Sequence, residues 1–232
     1  MSGPLAPGAV IGIVGGGQLG RMLAMAAARL GYRTLILEPQ PDCPAAQVAN
    51  GQIVAAYDDA EALGELAERA TVVTYEFENV PVAAAERLAR DVPVLPPPAA
   101  LEVAQDRLVE KDFLQPLGIA TALYRAVDHD DDLHAALTAF GGAGVLKTRR
   151  LGYDGKGQRV FRGGAGDAVG IHSAMGGVPL MLESFVAFDC EISVIAVRAA
   201  DGAVAAYEPA RNVHCHGILR RSTLPTAVPE ST

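Results

Sequence analysis

Val145-Leu146-Lys147-Thr148-Arg149-Arg150-Leu151-Gly152-Tyr153-Asp154-Gly155-Lys156-Gly157-Gln158 is a short apolar run that ends on a lysine and opens into three glycines set among polar residues. The pattern predicts a strand handing over to a loop whose bare backbone lets a ligand approach closely. That ligand should be an anion. Lys147, Arg149, Arg150 and Lys156 gather positive charge in a chain of formal net charge -8, and glycine-rich turns aim successive N–H groups at phosphate oxygens. No Gly-Lys-Ser/Thr opens a helix here, which disfavours a P-loop fold. The same residues also suit a solvated basic hairpin in which Asp154-Gly155 merely turns the chain. Taken alone, the stretch leaves both readings open.

Toward the N-terminus the pattern becomes that of a parallel sheet. Ala9 to Val14 is apolar without alternation and stops at glycines, as a strand buried on both faces does. Gly15-Gly16-Gly17-Gln18-Leu19-Gly20 leads into Arg21 to Leu30, where Leu19, Met22, Leu23, Ala26, Ala27 and Leu30 recur at helical spacing, and Gly31 closes the helix. Thr34 to Leu37, with Glu38 at its end, completes a β-α-β unit. Gly15, Gly17 and Gly20 satisfy GxGxxG, and Glu38 lies near where a dinucleotide-binding fold places its ribose-binding acid. A nicotinamide-dependent oxidoreductase is therefore a rival reading, although the same glycines serve any tight strand-to-helix turn that receives a phosphate. The sheet continues through Ile53 to Ala56, a helix from Asp59 to Arg69, and Thr71 to Tyr75. Glu76-Phe77-Glu78-Asn79 follows that last strand. Ligands of open α/β sheets bind beyond the carboxyl ends of the strands, which makes Gln18 and Glu76 candidates for one site. Glu76 and Glu78 also read as carboxylates near the positive end of the next helix.

Pro93 to Pro98 holds four prolines and reads as a stiff connector at a domain boundary. Gln105 to Leu117 then reads as one amphipathic helix, with Leu108, Phe113, Leu114 and Leu117 on its apolar side. Its Arg107 is, on pattern alone, an ordinary surface cation. Asp128, Asp130, Asp131 and Asp132 beside His129 read as a helix cap in preference to a metal site. Gln158 to Phe161 should return from the central loop as the second strand of a hairpin. Pro179 to Val186 reads as a strand or its exit. Glu191 to Val197 reads as one long strand with Glu191, Ser193, Ile195 and Val197 on one face. Glu191 then sits either at an exposed strand end or against a ligand that donates hydrogen bonds to it. His214 and His216 share a strand face, with no third zinc ligand in sequence reach.

The bulk properties narrow the class. A chain of 232 residues, half of them hydrophobic, is long enough to bury a core in one or two domains. No stretch approaches the ~20 apolar residues of a membrane span, and the N-terminus lacks signal-peptide character, so a cytoplasmic location is expected. Three cysteines, Cys43, Cys190 and Cys215, form no CxxC pair and argue against a disulfide frame or structural zinc. The acidic balance argues against broad nucleic-acid binding.

Five of these stretches together resemble the 5-(carboxyamino)imidazole ribonucleotide synthetases, ATP-grasp ligases of purine synthesis. They are Gly15 to Met22, Tyr75 to Pro81, Gln105-Asp106-Arg107, Gly152 to Gln158, and Glu183 to Val186 with Glu191, in family order across Val10 to Leu224. The resemblance implies an α/β and α+β chain: a Rossmann-like N-terminal domain (1–98), a connecting helix of the ATP-grasp region (99–117), a small lid (118–186) and the start of a larger lobe (187–232). It implies ATP and Mg2+ as cofactors, with aminoimidazole ribonucleotide and bicarbonate as substrates, in a homodimer. Arg107 and Lys147 would contact ATP phosphates, and Gly152, Tyr153, Asp154, Gly155, Lys156, Gly157 and Gln158 would close over them. Glu183, Ser184, Phe185 and Val186 would form the adenine hinge, Glu191 would hold ribose hydroxyls, and His214 would lie near the nucleotide. Gln18, Leu19 and Glu76, joined by Tyr153 and Asp154, would bind the ribonucleotide. Family members continue for a further hundred-odd residues, in which their acidic magnesium ligands lie, so no metal ligand is assigned within this chain. Leu151, where a glycine is common, and Ala210-Arg211 depart from the family pattern. A formate-dependent glycinamide ribonucleotide transformylase, a biotin carboxylase type of ligase, and a non-catalytic nucleotide-binding fragment remain alternatives.

Overall fold

A computed structural model describes residues 3–152, 156–163, 168–215 and 218–226. The chain divides into one unit from Pro4 to Phe113 and a second from Leu114 onward. Among the described residues no helix is long and apolar enough to cross a membrane.

The first unit is built on β1 (Val10–Val14), α1 (Gln18–Arg29), β2 (Arg33–Leu37), β3 (Gly51–Ile53), α2 (Ala60–Arg69), β4 (Val72–Tyr75), α3 (Val82–Leu88) and α4 (Pro98–Gln105). Its strands are parallel in the order β3-β2-β1-β4. The apolar run of β1 explains its central place, because side chains there meet packed layers on both faces. Val14, Leu35, Leu37 and Val73 pack with Leu63 and Leu66 of α2 and Leu88 of α3. Ile13 and Ile36 pack on the other face with Cys43 and Ala45. Asp59 starts α2 by accepting hydrogen bonds from the Glu61 and Ala62 N–H groups, each at 3.0 Å. Asp59→Ala should therefore cost about 1 kcal/mol of stability, measured by denaturant unfolding, and an unchanged midpoint would contradict the cap.

Two sequence expectations change here. Pro93 to Leu95 belongs to the sheet of this unit: the Val73 N–H donates to the Pro93 carbonyl at 2.9 Å and the Leu95 N–H to the Val73 carbonyl at 2.9 Å. The single helix expected over Gln105 to Leu117 is broken. Buried Asp106 ends α4 and accepts from the Leu108 N–H at 3.0 Å, so it caps a new helix, α5 (Arg107–Leu114), followed by a 3-10 turn at Gln115–Leu117. Periodicity across the break is continuous, but an aspartate that takes helix-start N–H groups outweighs it.

The second unit opens with β5 (Tyr124–Val127), α6 (Asp130–Ala139), β6 (Ala143–Thr148), β7 (Gln158–Arg162), the short α7 (Ile171–Ala174) and β8 (Leu180–Ser184). The strands form an antiparallel sheet in the order β5-β8-β6-β7. Leu146, Phe161, Leu180 and Leu182 pack on Leu133 and Leu137 of α6 and Ile171 of α7, so the helices cover one face. Asp132 accepts from the Asp128 and His129 N–H groups at 3.0 Å, giving the aspartate cluster the cap expected of it. Asp130 adds a tie across the unit. Its carboxylate accepts from the His172 N–H at 2.9 Å and the Gly170 N–H at 2.6 Å, and these bonds hold its carboxyl below the usual range.

The long strand expected over Glu191 to Val197 is two strands in different sheets. β9 (Glu191–Ser193) joins β12 (Ala210–Cys215) and β13 (Ile218–Thr223), whereas β10 (Ala196–Arg198) pairs with β11 (Val204–Ala206). Val194 and Ile195 carry the chain between them, which removes the common face drawn from Glu191 to Val197. The apolar run carried no mark of the change because its cause is a change of pairing partner far along the chain.

Candidate functional site

In the second unit the sheet register sorts the predicted residues. Lys147 lies opposite both Gln158 and Met181, and Val145 lies opposite Glu183. Period-two alternation therefore puts Lys147, Gln158 and Glu183 on the face away from the α6 layer. There the Lys147 ammonium donates to the Glu183 carboxylate at 2.6 Å, and both side chains are largely covered, with 27% and 14% exposed. The hairpin expected after Lys147 is present: the Thr148 N–H donates to the Gly157 carbonyl at 2.8 Å, with Gly157 in the left-handed region at φ +68. Gly152, Lys156, Gly157 and Gln158 flank its tip, while Tyr153, Asp154 and Gly155 lie outside the described residues.

At the end of β8, Ser184 closes the strand and Phe185 and Val186 are exposed. The Arg162 guanidinium sits 5.2 Å from the centre of the Phe185 ring, a cation–π contact that sequence spacing did not disclose. Further on, β9 and β12 bring two predicted residues together. Glu191 lies opposite Asn212 and accepts from its side-chain amide at 3.2 Å, while His214 Nδ1 is 3.4 Å from the same carboxylate. Ser222 on β13 donates to the Asn212 amide oxygen at 2.8 Å. Asn212 and Ser222 were not among the expected site residues; their only signal is cross-strand register. His216 lies outside the described residues.

Arg107 is the first residue of α5, in the first unit. That unit also holds Gln18, Leu19 and Glu76 at the carboxyl end of its sheet. Gln18 and Leu19 are exposed at the start of α1. Glu76 directly follows β4 and turns back to that helix start, where its two oxygens accept from the Gly17 N–H at 2.6 Å and from the Gly20 N–H. Unpaired N–H groups and a positive dipole end make this a natural place for an anion, and the chain supplies its own. The carboxylate belongs to α1 and not to the helix that follows it in sequence.

This arrangement explains GxGxxG without a dinucleotide. A Cβ at Gly15 would lie 2.5 Å from Glu76 Cγ, one at Gly17 2.7 Å from Glu76 Oε1, and one at Gly20 2.8 Å from Glu76 Oε2. All three glycines make room for one glutamate. Glu38 is likewise engaged: its carboxylate accepts from the Gly16 N–H at 2.9 Å, the Gln40 N–H at 3.2 Å and the Tyr57 hydroxyl. The nicotinamide reading assigned Glu38 to a cofactor ribose, and the structure gives that acid three partners within the chain. Glu38, Tyr57, Glu76 and Phe77 line a cavity of about 270 Å³.

Comparison with known proteins follows the same division. Residues 9–105 match the ribonucleotide synthetase preATP-grasp domain and residues 112–232 the ATP-grasp domain. The N5-carboxyaminoimidazole ribonucleotide synthase of Brucella melitensis biotype 1 is 60% identical over 229 residues, covering 98% of this chain and 63% of that protein. The synthase of Pseudomonas aeruginosa is 46% identical, covering 94% of this chain and 60% of that protein. This chain thus spans about three fifths of the length of the curated relatives it matches. Among solved structures, an N5-carboxyaminoimidazole ribonucleotide synthetase in its ADP complex superimposes with a TM-score of 0.92 at 39% identity, over 97% of this chain and 60% of that one. The Aspergillus clavatus synthase, in complex with ADP and 5-aminoimidazole ribonucleotide, gives 0.86 at 26% identity, over 97% and 59%.

Proposed function

Because the chain belongs to the N5-carboxyaminoimidazole ribonucleotide synthase family of ATP-grasp proteins, we propose that it serves the ATP-dependent carboxylation of 5-aminoimidazole ribonucleotide in purine synthesis. The observation that carries this reading is the Lys147 ammonium, held by Glu183 at 2.6 Å on the sheet face away from the helices, beside the glycine-bearing hairpin. In the proposed reaction a bicarbonate oxygen attacks the γ-phosphorus of ATP, the bond to the β-phosphate oxygen breaks, and ADP leaves carboxyphosphate behind. The aminoimidazole amine then takes the carboxyl carbon, directly or as carbon dioxide, with loss of phosphate and of the amine proton.

The protein's part is to hold and neutralise charge, which is the main task in phosphoryl transfer. Lys147 and Arg107 are the proposed phosphate ligands, and Gly152 to Gln158 the loop that closes over the phosphates and keeps water from the labile intermediate. Glu183 to Val186 would serve as the adenine hinge. Glu191, steadied by Asn212, would take ribose hydroxyls, with His214 beside it. Gln18, Leu19, Glu76, Tyr153 and Asp154 would bind the ribonucleotide. Magnesium, which the resemblance implies, has no matching shell: among the described residues no three acidic, histidine or cysteine side chains gather as metal ligands. No step is assigned to it. The same reading takes the protein to be a cytoplasmic homodimer with regions 1–98, 99–117, 118–186 and 187–232.

ADP is expected to bind this chain and NADH is not, because Glu38 and Glu76 already take the N–H groups and space that a dinucleotide would need. Titration with both nucleotides is the test. Saturable NADH binding without ADP binding would refute the reading.

A further inference from the structure

Glu38 and Tyr57 have no place in the proposed chemistry, yet their side chains meet directly beneath the glycine turn that holds Glu76. Glu38 stands at the end of β2, and Tyr57 stands in the loop between β3 and α2. The two are joined by a hydrogen bond from the phenol to the carboxylate, and the same carboxylate accepts from the Gly16 N–H at 2.9 Å. The next N–H along, that of Gly17, donates to Glu76 at 2.6 Å. Consecutive amides of one turn are thus gripped by carboxylates from the ends of two different strands.

The turn has little room to shift. A Cβ at Gly16 would lie 2.6 Å from Glu38 Cγ, so the glutamate side chain is pressed against that residue, and the Cys43 thiol closes in beside it. Tyr57 is braced in turn by Phe77, whose ring centre is 6.0 Å away and tilted by 58°. Phe77 is the residue after Glu76, so the brace reaches Glu76 both through the turn and through its neighbour. Burial first, and then the Glu38 carboxylate, push the Tyr57 phenol above its ordinary range, which keeps it a hydrogen-bond donor at every physiological pH.

We propose that Glu38 and Tyr57 are a positioning pair for the ribonucleotide substrate: they fix the Gly16-Gly17 turn and, through the Gly17 N–H, the orientation in which Glu76 meets its ligand. The proposal rests on the assignment of Glu76 to the ribonucleotide. A carboxylate that accepts from three donors is locked in one rotamer. Without the phenol, Glu38 keeps the Gly16 and Gln40 N–H groups but loses the donor that ties it to Tyr57, and the turn above is held less firmly. These contacts are all between residues of the first unit, whereas Lys147 and the proposed Glu183 to Val186 hinge belong to the second, so ADP affinity should change little.

The test is calorimetric titration of the chain with 5-aminoimidazole ribonucleotide and, separately, with ADP. Tyr57→Phe keeps the ring against Phe77 and removes only the hydroxyl. It should weaken ribonucleotide binding by about five- to tenfold, the weight of one ordered hydrogen bond, and leave ADP affinity within about twofold. Glu76→Gln should weaken ribonucleotide binding too, and adding Tyr57→Phe to it should cost much less than Tyr57→Phe costs alone, because the oxygen being positioned has already been altered. Glu38→Gln, which keeps the chain length and one carbonyl acceptor, should fall between the parent and Tyr57→Phe. Exchange of the Gly17 amide should quicken in Tyr57→Phe while amides of α2 keep their protection. Parental ribonucleotide affinity in Tyr57→Phe would overturn the positioning role and leave the substrate assignment standing, as would equal losses for ribonucleotide and ADP, or full additivity with Glu76→Gln. A parent chain that binds ADP but no ribonucleotide would overturn the substrate assignment, and this role with it.

Discussion

Replacing Lys147 with alanine should weaken ADP binding by roughly 10- to 150-fold, the equivalent of about 1.5–3 kcal/mol for one charge-assisted contact, while adenosine binding changes little. The reasoning starts from geometry. Lys147 is fixed in β6, its ammonium is 2.6 Å from Glu183, and only 27% of its side chain is exposed. A lysine on an open surface loses much of its rotamer freedom when it binds a ligand; this one has surrendered part of that freedom before the ligand arrives. Glu183 takes one of the three donors that an ammonium carries, and the others suit phosphate oxygens. Alanine removes the charge and takes the ammonium from Glu183, but the β8 backbone, where the adenine hinge is proposed, keeps its pairing with β5 and β6. The loss should therefore fall on the phosphates. Titration of parent and variant with ADP and adenosine would decide it. Equal ADP affinity in a folded variant would take Lys147 out of the nucleotide site, and equal losses for both ligands would mean that the substitution had disturbed the hinge.

Much of this was legible in the sequence, for reasons that also mark the boundary. The order of β1, α1, β2, α2 and β4 could be read because local periodicity and the glycines at strand ends encode it. The Lys147 hairpin could be read because positive charge among glycines stands out in an acidic chain. Most of what failed depended on distant partners. The break between β9 and β10 arises from pairing with β12 and β11, respectively, and no residue at Val194 or Ile195 announces it. The break at Asp106 had a local cause, an aspartate placed to cap, but the helical period running through it concealed the cap.

The glycine turn is the most instructive case. GxGxxG was legible and its meaning was not, because the same three glycines accommodate a cofactor phosphate or a carboxylate from another strand. Glu76 lies 59 residues from Gly17, and Tyr57 lies 19 residues from Glu38. No spacing rule joins those pairs. A carboxylate at a helix start can be recognised only once the sheet has set the end of β4 beside the start of α1.

That identification leads to the second large effect. Glu76→Ala should lower stability by about 2–4 kcal/mol, because the Gly17 and Gly20 N–H groups lose their acceptor and α1 loses the anion at its positive end. For a unit of this size the melting temperature should fall by on the order of 10 °C. The alanine also leaves an empty space bounded by Gly15, Gly17 and Gly20, so the helix start becomes what the sequence first suggested, a place for an external anion. Sulfate or phosphate should then restore part of the lost stability. Sulfate stabilises most folded proteins by exclusion from their surfaces, so the meaningful quantity is the gain in Glu76→Ala beyond the gain in the parent, at matched ionic strength against chloride. Glu76→Gln, which retains one acceptor oxygen in the same shape, should lose roughly half as much and show little extra response to sulfate. Thermal unfolding of the three proteins in the two salts measures every term. If Glu76→Ala melts with the parent, the carboxylate does not stabilise the turn. If it melts low but gains no more from sulfate than the parent does, the emptied helix start is not an anion site, and the glycines of the fingerprint serve the glutamate alone.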